Sequence, residues 1–97
     1  MDPEVRTYVK NRINKLLKKE NLMKKVELFK KYEKIGLISS LENALYGAFI
    51  ESLHDITVVL NIFDGYTLSA EDMNELLDII NNRASEIKEK ISQASTL

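Results

Sequence analysis

The chain has a single histidine, His54, with Glu51 three residues before it and Asp55 directly after it. On a helix, positions i, i+3 and i+4 share one surface, so these three groups fall within reach of each other. Glu-x-x-His on a bundle helix is half of what a carboxylate-bridged di-iron site uses: hard carboxylates bridge the metals and a neutral imidazole supplies a terminal ligand. Glu51, His54 and Asp55 are therefore the candidate metal ligands. The remainder of such a site requires a second Glu-x-x-His and two more glutamates. A symmetric dimer would supply the second copy, with Glu20 or Glu27 as the extra carboxylate. The plainer reading carries more weight: Glu51 and Asp55 pair with lysines of the first helix, and His54 is an ordinary bundle residue. No cofactor is expected.

Other chemistry has fewer handles. The absence of cysteine removes disulfides, thiolate metal sites and a thiol nucleophile. A serine triad would need Ser39, Ser40, Ser52 or Ser69 beside His54. Ser39 and Ser69 read as helix caps, and Ser52 is two residues from His54, which points it elsewhere on a helix. No glycine-rich phosphate loop occurs. Enzyme activity is not predicted.

The charge is unevenly spread. Residues 1–35 hold eleven Lys and Arg against five Asp and Glu, whereas residues 36–97 hold three against ten. A basic first half of this kind points either to RNA or DNA, with Lys18, Lys19, Lys24 and Lys25 as the contact residues, or equally to a basic segment that lies against the acidic half within the fold. Tyr8, Phe29 and Tyr32 are interleaved with the cations and offer stacking surfaces. Against this, the cations fall on several faces and are mostly Lys, and Phe29 and Tyr32 sit at core spacing. Nucleic-acid binding is the second functional reading.

The elements that position these residues are helices. Ninety-seven residues, 44% hydrophobic and 30% charged, with three glycines and one proline, describe one helical domain without the turns of an all-β fold. Asp2, Pro3 and Glu4 form a helix start, and Val5, Val9, Ile13, Leu16 and Leu17 follow at helical spacing. The stripe loses phase near Asn21 and resumes at Met23, Val26 and Phe29. With no Gly or Pro between Lys18 and Lys25, the spacing predicts one continuous helix over 3–35; the alternative is a break near Asn21, with the second piece folding back. Gly36 then provides a left-handed cap.

Ser39 and Glu42 have the spacing of a capping box for a second helix over 40–64. Its seam reads Leu45, Phe49, Ser52, Ile56, Val59 and Phe63, but Tyr46, Ile50, Leu53, Val58, Leu60 and Ile62 are apolar on other faces. Ala44, Gly47 and Ala48 would admit a close backbone neighbour. Gly65 ends the helix. Ser69 and Asp72 open a third helix over 70–94, with a regular seam from Met73 and Leu77 through Ile80, Ala84, Ile87 and Ile91 to Ala94. Gln93 to Leu97 reads as a frayed tail.

These observations predict an all-α, up-down bundle of three long helices over a single domain, 1–97. The apolar surface on helix two beyond what one seam needs predicts a homodimer or higher oligomer. The amino-terminal stretch lacks the apolar run of a secretory signal, and no segment offers the ~20 uncharged apolar residues of a membrane span. A cytoplasmic, non-enzymatic interaction module is expected, with itself, and beyond that another protein, as partner.

Overall fold

Asp2 caps the first helix, its carboxylate accepting the Glu4 N–H at 2.8 Å beside Pro3 in the first turn. The computed structural model describes residues 1–65 and 67–96, with the side chains at 63 and 64 left aside. Every regular element among the described residues is a helix: α1 (Pro3–Leu16), α2 (Lys19–Lys34), α3 (Leu41–Asp64), α4 (Ala70–Asn82) and α5 (Ala84–Ser95). The all-α expectation holds. Two of the three predicted helices, however, are broken.

The first break corrects the continuous 3–35 helix. Lys18 adopts an extended conformation (φ −60°, ψ 135°) between α1 and α2. The cause lies in the phase of the stripe. Val9, Ile13 and Leu17 are buried at steps of four, and Leu22 and Val26 are buried at a step of four, but Leu17 and Leu22 are five apart. At about 100° per residue, five positions of unbroken helix would rotate the second set roughly 140° away from the first. One extended residue lets both sets reach the core. The break precedes Asn21, which does not cap α2; its side-chain N–H donates to the Lys15 carbonyl at 2.7 Å and ties the two pieces together. At the far end of α2, Gly36 is left-handed (φ +81°). The Leu37 N–H reaches the Tyr32 carbonyl at 2.9 Å and the Gly36 N–H reaches that of Glu33 at 3.1 Å, the two bonds of a Schellman cap.

α3 is the centre of the molecule, with α1, α2 and α5 all packed on it and α5 also on α2. Its cap is Ser40 rather than Ser39: the Ser40 hydroxyl accepts the Asn43 N–H at 3.2 Å. The buried line is Leu41, Leu45, Phe49, Leu53, Ile56 and Leu60. Leu53 and Leu60 thus take the places predicted for Ser52 and Val59, which are half-buried, and the Phe63 side chain lies outside the described residues. Tyr46 donates its O–H to the Lys88 carbonyl at 3.2 Å, pinning α3 to α5. Gly47 itself is exposed, and a Cβ there would meet nothing within 4 Å among the described residues, so it admits no close neighbour from them. Gly65 ends the helix at φ +62°.

The second break corrects the 70–94 helix. Ser69 and Asp72 form the predicted reciprocal capping box, each N–H to side-chain oxygen distance being 3.1 Å. At Arg83 (φ −111°, ψ 7°) the helix kinks, after the weak helix formers Asn81 and Asn82. Arg83 then clamps Glu86 through two bonds of 3.1 Å. The kink divides the predicted seam. Ile87, Ile91 and Ala94 are buried, but Met73 and Leu77 face outward and Leu76 takes the core position in α4. The expected frayed tail is helical through Ser95, held by the buried Ala94.

α4 is anchored from one side by charge. Arg6 pairs with Glu75, and the Met1 amino group lies 2.9 Å from Glu75 and 3.2 Å from Asp72. The Arg6 guanidinium first, and then the Met1 amino group, hold the Glu75 carboxyl below the ordinary glutamate range. A depressed native value means that this pair stabilises the fold fully above the unfolded glutamate range, and that the contribution is lost as pH falls through the native value. Arg6→Gln is expected to raise the Glu75 midpoint in a carboxyl-carbon NMR titration. An unmoved midpoint would show that Arg6 is not what positions α4.

Candidate interaction surfaces

The three candidate metal ligands sit together on one helix. Glu51, His54 and Asp55 all lie on α3 as their spacing requires, and all three are exposed. Among the described residues, no three His, Asp or Glu side chains are grouped to hold a metal ion. The expected pairing of Glu51 and Asp55 with lysines does not form either, since the ion pairs of the described residues involve Asp72, Glu75 and Glu86. Glu20 and Glu27 are exposed on α2. Ser69 and Ser40 are engaged as caps, and Ser52 donates to the Ala48 carbonyl at 2.9 Å. The Thr57 hydroxyl, one turn from His54, donates to the His54 backbone carbonyl at 2.8 Å.

What His54 does border is a groove of about 510 Å³ between the carboxyl half of α3 and the start of α4. Val58 and Ile62 form one wall and Leu68 and Met73 the other, with Asn61 and His54 at the edge. The groove exists because α4 leaves α3 after the capped turn at Ser69 and returns to the core only through Leu76 and the half-buried Ile79 and Ile80. Asn61 spans the turn by donating to the Thr67 hydroxyl at 3.2 Å. The apolar surface continues beyond the groove. Ile50 precedes His54 by one turn of α3, and Leu77 follows Met73 by one turn of α4; Ile62 is 66% and Leu77 59% exposed.

This face is uniformly acidic. From Gly36 to Asn82 there are eight Asp and Glu and no Lys or Arg. Glu51 and Asp55 on α3 and Asp78 on α4 are exposed and make no ion pair. Exposed apolar side chains on helices that also expose Glu51, Asp55 and Asp78 suit an apolar ligand with flanking cations.

The opposite character appears on α2. Leu28, Tyr32 and Ile35 fall at i, i+4 and i+7, away from the buried Leu22 and Val26, and Ile35 is 69% exposed. Lys24, Lys31 and Lys34 are exposed on the same segment, as are Glu27 and Glu33. Sequence reasoning followed the stripe through Met23, Val26 and Phe29 and passed over this second one, although its spacing is equally regular.

The nucleic-acid candidates are partly placed for their role. Lys18, Lys19 and Lys24 are exposed and Lys25 half-buried, and none of the four makes an ion pair. The aromatic side chains are less available. Tyr8 and Phe29 pack against the core, and Phe29 lies 6.0 Å from Tyr32, ring centre to ring centre. No helix among the described residues is long and apolar enough to cross a membrane. Comparison with protein-family models, characterised proteins and solved structures finds no match to the chain.

Proposed function

We propose that the chain is a non-enzymatic helical interaction module that assembles with copies of itself through the apolar face formed by α3 and α4. The observation that carries this reading is the set of exposed apolar side chains on α3 and α4, Ile50, Val58, Ile62, Met73 and Leu77, of which Val58, Ile62 and Met73 line one groove. Single exposed apolar residues need no explanation, but a set that lines one groove marks a surface that water is not meant to wet. The scale fits. The accessible surface is 6463 Å², against about 5,700 Å² for a compact monomer of this mass. The excess is of the order of the ~800 Å² that one partner buries in a standard interface. The body is elongated, 43 × 26 × 21 Å. Cytoplasmic residence and a further protein partner belong to the same proposal.

Light scattering coupled to size exclusion tests it. The apparent mass is expected to rise above the 11.2 kDa chain with increasing concentration in the micromolar range. A single species at the chain mass, unchanged on concentration, would contradict self-assembly.

The solvent-facing lysines support a second reading, binding of RNA or DNA through α1 and α2. It leaves the exposed Leu28, Ile35 and the α3–α4 face without a role, which places it second. Under this reading affinity falls steeply with salt, each neutralised phosphate adding about −0.7 to −0.9 to the log–log slope. Replacing Lys18, Lys19, Lys24 and Lys25 by Gln is expected to flatten that slope. Absence of a complex at low salt would dismiss the reading.

A further inference from the structure

We infer that self-assembly, the reading on which this inference rests, runs head to tail: the cationic tip of α2 in one copy seats in the acidic α3–α4 groove of the next. Two faces on the same chain carry complementary chemistry. The tip offers Leu28, Tyr32 and Ile35 in helical register, and the same segment exposes Lys24, Lys31 and Lys34 against Glu27 and Glu33. The groove offers Val58, Ile62 and Met73, and the two helices that form it expose Glu51, Asp55 and Asp78.

Chain connectivity makes the contact intermolecular. The tip of α2 joins the start of α3 through residues 35–40, whereas the groove begins at His54 and continues past Ile62. At 1.5 Å per residue, 13 to 21 residues of α3 place the groove about 20 to 30 Å from the start of that helix. A tip cannot fold into its own groove.

Electrostatics selects the pairing. A two-fold dimer through the groove would set Asp55 and Glu51 against the same residues of the other copy, with no cation between Gly36 and Asn82 to offset them. A two-fold dimer through the tip would oppose Lys24, Lys31 and Lys34 of both copies, with only Glu27 and Glu33 to offset them. The mixed contact satisfies both faces at once, since like charges brought together disfavour the wrong register. A contact between two different faces is heterologous, so a joined pair keeps one free groove and one free tip, and assembly proceeds to a ring or an open chain.

Two variants separate this from symmetric pairing. Val58→Gln with Ile62→Gln disables the groove, and Leu28→Gln with Ile35→Gln disables the tip; all four positions are exposed, so the helical fold is retained and checked by circular dichroism. Each variant alone is expected to remain monomeric under conditions where the native chain associates. Their equimolar mixture is expected to form a capped pair of twice the chain mass and to grow no further. A tip variant that associates like the native chain would overturn the inference while leaving self-assembly standing. A native chain that stays monomeric at every concentration would overturn both. Zero-length carbodiimide crosslinking of the native protein gives a variant-free check. Links are expected between Lys31 or Lys34 and Asp55 or Asp78, and intermolecular links confined to other pairs would refute the arrangement.

Discussion

One helix is too apolar for the chain to cover, and most of the structure follows from that. The line from Leu41 to Leu60 on α3 is the common floor against which α1, α2 and α5 pack. Nearly all of the core is made by laying a stripe of some other helix on that line. Even so, Ile50, Val58 and Ile62 lie off the line and stay exposed. A helix apolar on more than one face belongs in an interior. Here the interior ends before the helix does.

The same demand explains the two breaks. An unbroken first helix would bury Val9, Ile13 and Leu17 and turn Leu22 and Val26 away; the extended Lys18 recovers the second set. The transfer free energy of two aliphatic side chains, about 1.5–3 kcal/mol each, exceeds what the interrupted hydrogen bonds cost, about 0.5–1.5 kcal/mol apiece. The kink at Arg83 does the reverse for α4 and α5. It seats Ile87, Ile91 and Ala94 against α3 and α2, and in doing so leaves Met73 and Leu77 outside. The groove beside His54 is the product of that division.

Much of this was legible in the residues. The caps were readable because each depends on one or two neighbours: Asp2 with Pro3, Gly36, Gly65, and Ser69 with Asp72. The buried faces of α1 and α5 were readable because their spacing is regular. The loss of phase near Asn21 was visible, but its resolution was not. Lys18 carries no intrinsic mark of a break, and only the shared target on α3 forces one. Likewise the regular seam from Met73 to Ala94 gave no hint that a kink would divide it. The groove escaped for the same reason: its walls come from helices whose relative placement is tertiary. The histidine cluster shows the limit of spacing read on a single helix. Glu51, His54 and Asp55 have a suggestive spacing, yet spacing on one helix supplies one side of a site and nothing opposite it.

The central claim is that the exposed apolar rows are contact surfaces between copies. Methyl-resolved NMR through a dilution series in the micromolar range tests it residue by residue. Methyl resonances of Ile50, Val58, Ile62 and Leu77, together with those of Leu28 and Ile35, are expected to move with concentration along one common binding curve. Those of the buried Ile13, Ile56 and Ile91 are expected to stay fixed, because the fold is unchanged by assembly. Concentration-independent spectra would contradict the claim, as would shifts confined to residues outside the two rows.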